Sequence, residues 1–323
     1  MISSVVHVLK PNNSMMGTPT TPPDPHRPPS EQYDVHPLTA IANIKSPVFL
    51  NYWLLRLIVA IMPRNALYNL NIIHFARFLF FSPKKSWFPT QFGVLTAYDG
   101  GFKAYMEDFM FQSLDIFDYV LPFIEGADDL YPIHKNPDAF ISWLWKQNQY
   151  SEFWYSAYPT MNVPTIRTAP DGLINENQRD PKQNPFTLIA TIAEPIQENY
   201  EQLKAISKVL NNADFGDDSK LHYARMFFLS PTNTEPPIQV GVATTFDGSI
   251  EEYLGAAVRI PNNIFERILP FVKDAKELMP YRDNEKKLLK WLNKKNLKPR
   301  HWYSAYPALS ALAVRAFAKP DRE

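Results

Sequence analysis

WYSAYP occupies residues 154–159 and returns at residues 302–307. The two copies stand 148 residues apart, and the same offset holds far upstream. Pro37-Leu38-Thr39 matches Pro185-Phe186-Thr187, and Asn51-Tyr52 matches Asn199-Tyr200. His74-x-Ala76-Arg77 matches His222-x-Ala224-Arg225. Asp99-Gly100 matches Asp247-Gly248, and Trp143-Leu144 matches Trp291-Leu292. A register constant over more than a hundred residues marks a tandem duplication. Two copies are too few for a solenoid, so the chain holds two related units, 37–160 and 185–308. A 161–184 linker joins them, and a C-terminal helix or tail, 309–323, follows.

Each unit reads as β-α-β-β-α-β with extra helix before its last strand. In the second copy, residues 186–193 (FTLIATIA) are rich in apolar and β-branched residues, as a strand is. Residues 195–210 begin with proline and keep a 3.6-residue periodicity, which predicts a helix. LHYARMFFL (221–229) and QVGVATTFD (239–247) read as a hairpin, 250–272 and 284–296 as helical, and HWYSAYP as the closing strand. The expected class is α+β: two ferredoxin-like repeats in one chain. Element order and duplication resemble the fused form of the dimeric α+β barrel, in which two sheets face each other under outer helices. On that resemblance, the hexapeptide recurs because each copy closes its own sheet.

Composition narrows the function. The chain has 323 residues, 33 basic and 33 acidic, and no cysteine. Balanced charge argues against nucleic acid as a partner. Without cysteine there are no disulfides, thiolate metal sites or cysteine nucleophile. The start has neither the charged region nor the long apolar core of a signal peptide, so a cytoplasmic location is expected. Residues 1–36 read as a Pro-rich disordered arm.

Alternation assigns faces. Leu38, Ala40, Ala42 and Ile44 are wholly apolar and should pack on helices. Arg77 and Arg225 lie mid-strand and cannot sit unpartnered in a helix–sheet core, so their face should look into the space between the sheets. Trp154, Ser156 and Tyr158 share a face, as do Trp302, Ser304 and Tyr306. Inward-facing, these residues have two readings. They glue the sheets together, or they line a pocket for a flat or elongated apolar ligand bearing carboxylates, an anionic one. Arg77, Arg225, Trp154, Tyr158, Trp302, Tyr306 and His74 would then bind it. Hairpin pairing that sets Arg77 against Thr96 brings His74 to Asp99 and His222 to Asp247. An orienting carboxylate or a plain helix cap are both open readings for the aspartates.

Fused barrels of this kind resemble the superfamily of chlorite dismutases and dye-decolourising peroxidases. Those families bind haem through a proximal histidine in the C-terminal half, and the dye-decolourising peroxidases also have a G-x-x-D-G motif. The matching stretches are Thr96-Ala-Tyr-Asp99-Gly100 and Thr244-Thr-Phe-Asp247-Gly248, with threonine for the first glycine. The resemblance implies haem as cofactor, His222 (or His301) as axial ligand to the iron, Asp247 and Arg225 as catalytic groups, and oxidoreductase chemistry. A lipid or a quinone is the other ligand expected between the sheets.

The duplication also exposes a contrast. Residues 196–210 (IQENYEQLKAISKVL) are amphipathic, whereas their match, 48–62 (VFLNYWLLRLIVAIM), is apolar nearly all round. Something should cover 48–62: the C-terminal helix, the other extra helices, a protein partner or a membrane surface. The alternative function is therefore a non-catalytic interaction or scaffold protein that docks through this helix, attached peripherally if the surface is a membrane.

Overall fold

In the computed structural model the described residues are 35–318, except 64–65, 84–85, 170–182, 212–214, 216–219, 232–234, 260–263 and 282. The expected arm lies almost wholly outside them, as does most of the linker. The first repeat runs β1 (Val35–Asn43), α1 (Val48–Ile61), β2 (Ile73–Phe81), β3 (Gln91–Asp99), α2 (Phe102–Val120), α3 (Pro137–Gln147) and β4 (Ser151–Ser156). After α4 (Val163–Arg167), the second runs β5 (Gln183–Thr191), α5 (Ile196–Leu210), β6 (Leu221–Leu229), β7 (Gln239–Asp247), α6 (Ile250–Arg259), α7 (Ile264–Ile268), α8 (Glu285–Lys295) and β8 (His301–Ser304), followed by α9 (Ala311–Ala318).

The class is α+β, with two four-stranded antiparallel sheets. Their orders are β1-β3-β2-β8 and β4-β6-β7-β5. This corrects one expectation: neither repeat closes its own sheet. β8, from the second repeat, pairs with β2 of the first, and β4, from the first, pairs with β6 of the second. Pattern reading could not see this, because the two closing strands have nearly the same sequence and fit either edge.

Alternation explains the layers. Leu38, Ala40, Ala42 and Ile44 join the core of the first sheet and its helices, together with Leu55 and Val59 of α1. Phe186, Leu188, Ala190 and Ile192 do the same in the second. The opposite faces meet between the sheets, where Ile41, Leu79, Phe81, Leu95, Phe227, Leu229 and Ala243 form a third cluster. Glycine is needed here for close approach. A Cβ on Gly93 would stand 2.6 Å from the Phe81 ring, and one on Gly241 would stand 2.4 Å from the Phe227 ring.

Candidate functional site

Arg77 and Arg225 reach from one sheet to the other. Arg77 donates to Phe186 O (3.0 Å) and Thr187 Oγ1 (3.0 Å), and also to Thr244 O (3.0 Å) and Thr245 Oγ1 (2.7 Å). Arg225 donates to Leu38 O (2.7 Å), Thr39 Oγ1 (3.2 Å) and Thr96 O (2.7 Å). These acceptors correspond under the repeat, apart from Thr245, whose match is Ala97. Trp302 lies on Arg77, 5.2 Å from guanidinium carbon to ring centre, and Trp154 lies on Arg225 at 5.0 Å. Burial pushes both guanidiniums down to about 9, and for Arg225 the like charge of Arg77 adds to this. Both still carry charge at neutral pH.

Behind the arginines runs a chain of hydrogen bonds related by the duplication. Asp99 Oδ1 meets His74 Nε2 at 2.7 Å, and His74 Nδ1 meets the Tyr306 hydroxyl at 2.7 Å. That hydroxyl lies 3.0 Å from the Tyr158 hydroxyl. Tyr158 lies 2.7 Å from His222 Nδ1, and His222 Nε2 lies 2.8 Å from Asp247 Oδ1. The second carboxylate oxygens accept from helix starts: Asp99 from Val163 N of α4, and Asp247 from Ala311 N of α9, both at 2.8 Å. Tyr223 breaks the symmetry, with its hydroxyl 3.3 Å from that of Tyr306, because its match is Phe75. Burial pushes the Tyr158, Tyr223 and Tyr306 hydroxyls well above their ordinary value, so they remain neutral.

The last tyrosine of each WYSAYP therefore sits at the centre of the molecule, and the hexapeptides meet there. The ladder itself differs from the expected pairing by one residue: Arg77 faces Leu95, not Thr96. A bulge between Ile73 and Phe75 takes up the difference. It turns His74 to the same side as Phe75, and both rings contact Tyr223 and Tyr306. Simple alternation put His74 on the other face. Two further arginines, Arg167 and Arg315, fasten the ends. Arg167 donates to Tyr303 Oη (2.9 Å) and Ala305 O (3.1 Å); Arg315 donates to Tyr155 Oη (2.6 Å) and Ala157 O (3.4 Å). They stand at the repeat offset, so carrying the register past the second tyrosine would have found them.

This centre is packed with its own side chains. His74 and His222 are fully buried. Both ring nitrogens of His222 are hydrogen-bonded, to Tyr158 and Asp247, so it offers no free nitrogen to a haem iron. His301 lies apart on β8, its ring 5.6 Å from that of Phe78. The residues fit a joint between two half-barrels better than a haem pocket.

The outer face of α1 is the opposite kind of surface. Asn51, Tyr52, Leu55 and Val59 are buried against the barrel. Phe49, Leu50, Trp53, Leu57 and Ile61 are each about half exposed or more, from 49 % at Trp53 to 71 % at Ile61. The expected cover by the C-terminal helix is not made: α9 docks at Tyr155, Ala157 and Leu221. Phe49 meets Phe88 edge-on at 5.5 Å, which sets the fully exposed Trp87 beside the start of α1. Arg56 lies over Trp53 at 5.1 Å and donates to Tyr52 Oη at 2.8 Å. Among the described residues no helix is long and apolar enough to cross a membrane.

No protein-family model matches the chain, and no curated protein matches it. Solved structures match loosely. One is a protein assigned as a monooxygenase from Lactobacillus acidophilus NCFM, at 8 % identity and TM-score 0.34, covering 83 % of this chain and 96 % of that one. Another is an anthrone oxidase-like protein, at 10 % identity and TM-score 0.28, covering 85 % and 94 %. Likenesses this loose add nothing to the two facing sheets already described.

Proposed function

We propose that the chain is a docking protein. Its barrel is a closed scaffold, and α1 is its working surface. The observation that carries this is the exposed stripe Phe49, Leu50, Trp53, Leu57, Ile61, joined by Trp87. Isolated exposed apolar residues are ordinary, but five large ones on one helix face, with a fully exposed tryptophan beside the helix start, mark an interaction site. The centre of the barrel is filled by its own arginines, histidines and tyrosines, which are spent on each other and on the opposite sheet. Leu57→Glu is the test. The wild-type chain should associate, with cell membranes on pelleting or with itself in the ultracentrifuge. The variant should stay monomeric and soluble with an unchanged thermal midpoint. A wild-type chain that is monomeric and leaves membranes alone overturns the reading.

A second reading keeps small-molecule binding. A cleft of about 450 Å³ opens at the rim between the sheets, lined by Ile41, Gln91, Lys146, Asn148, Gln149, Leu229 and Ser230. That volume lies in the range of ligand sites. At the positions related by the repeat offset stand Leu297 for Gln149 and Phe81 for Leu229, and both belong to the inter-sheet apolar cluster or pack on it. Lys146 would take an anionic group. A rise in thermal midpoint with small carboxylates, lost in Lys146→Glu, supports this reading; no rise with any of them removes it.

A further inference from the structure

The α1 surface names its own partner through charge. From Val35 to Tyr98 the chain has no acidic residue, while Lys45, Arg56, Arg64, Lys84 and Lys85 are basic beside the buried Arg77; Lys45 is paired with Asp128 from outside the window. The matching window, Gln183 to Phe246, holds Glu194, Glu198, Glu201, Asp214, Asp217, Asp218 and Glu235 against Lys204, Lys208, Lys220 and Arg225. Both windows build the same strand–helix–hairpin, so the fold does not demand this difference. The chain is neutral as a whole, yet its acid is missing from the window that also exposes the apolar stripe.

The contrast is sharpest on the helices. At the offset of 148, Phe49, Leu50 and Trp53 of α1 stand where α5 has Gln197, Glu198 and Glu201. Arg56 keeps its sign as Lys204. The two glutamates of α5 thus have large apolar counterparts on α1, whose one base is Arg56; the second base of α5, Lys208, is matched by Ala60. A helix with exposed Trp, Phe and Leu that has Arg56 and no acid of its own has the chemistry of one lying in the plane of an anionic bilayer. Its length suits that too: 14 residues span about 21 Å, too short to cross a bilayer. Tryptophan favours the depth of the headgroups; Trp53 is half exposed on this face, and Trp87, next in sequence to the Phe88 that meets Phe49, is fully exposed.

A second copy of the chain fits less well. A two-fold contact through α1 would set Arg56 near its own image, with no acid on the helix to pair it. A head-to-tail contact on α5 would set the Phe49, Leu50 and Trp53 side chains against Gln197, Glu198 and Glu201. We infer that α1 and Trp87 dock the protein on the surface of an anionic lipid bilayer, apolar side chains among the upper acyl chains and Arg56 at the phosphates. This rests on the docking reading above.

The test uses the full chain with two kinds of vesicle: phosphatidylcholine alone, and phosphatidylcholine mixed with phosphatidylserine. Flotation with the mixed vesicles, weaker with plain ones and weakened by salt, is expected. Leu57→Glu and Trp87→Ser should each lower vesicle binding about tenfold or more, because each withdraws a large apolar group from the bilayer. Trp87 is fully exposed on a loop, so its variant keeps the fold even if Leu57→Glu were to unfold the chain. Equal binding to both vesicles overturns the anionic preference. No binding to either, with a wild-type dimer that Leu57→Glu dissociates, overturns the bilayer but leaves the docking reading standing. No binding and no self-association overturn both.

Discussion

Arg225 holds three oxygens of the opposite sheet, two of them main-chain carbonyls at 2.7 Å. Replacing it with methionine would leave these acceptors buried and unpaired, a loss of about 3 kcal/mol or more. Urea denaturation measures this; Arg77→Met should behave alike, since it serves the matching oxygens. The tyrosine chain gives a pH signature. Burial raises the folded-state pKa of Tyr158, Tyr223 and Tyr306, while the unfolded tyrosines titrate near about 10. Their contribution is complete below that pH and is lost as pH climbs through it, because only the unfolded chain can then release the protons. The two arginines act the other way: their lowered folded pKa relieves a burial cost above about 9. Tyr158→Phe separates the two effects, and its stability should fall less steeply than wild type above about pH 10. At this scale the sequence was partly readable. The inward face of Arg77 followed from the cost of an unpartnered charge, and the His74–Asp99 neighbourhood followed from the hairpin. The bulge that aims His74 did not, because one extra residue in a ladder leaves no trace in alternation.

α1 and α5 show how far a helix can be read without its surroundings. Both follow a proline, and both bury one face against a sheet. On α1 the buried and exposed residues are equally apolar, so periodicity finds the helix but not its inner face. Packing decides it: Leu55 is fully buried while Leu57 is more than half exposed. Leu55→Ala should therefore cost about 3 kcal/mol, whereas Leu57→Ala should change stability by less than about 0.5 kcal/mol. Thermal denaturation of the pair checks the assignment. The outer face of α1 has no cover from the C-terminal helix, because Asp247 anchors the start of α9 at the other sheet.

At the scale of the whole molecule, the exchange of β4 and β8 makes the two repeats one cooperative body. Each sheet needs a strand from the other repeat, and the Tyr158–Tyr306 contact lies where the halves meet. The first repeat expressed alone would have β4 with no β6 to pair with, and β2 with an open edge. It should fail to fold, or should form a dimer in which each β4 completes the other copy's sheet. A stable monomer in the ultracentrifuge would contradict the exchange. The duplication, the element order and the facing sheets were legible because a repeat is visible in one dimension. Which sheet a closing strand joins was not, because two interchangeable strands carry no address.

The repeat also supplies the most direct test of α1 as the working surface. Phe49→Gln, Leu50→Glu and Trp53→Glu together give α1 the residues that α5 already carries on the same scaffold. Flotation of this triple variant with phosphatidylserine-containing vesicles, beside wild type, is the measurement to make. A folded variant with wild-type stability that no longer floats is the expected result. A folded variant that floats as well as wild type would place the working surface elsewhere.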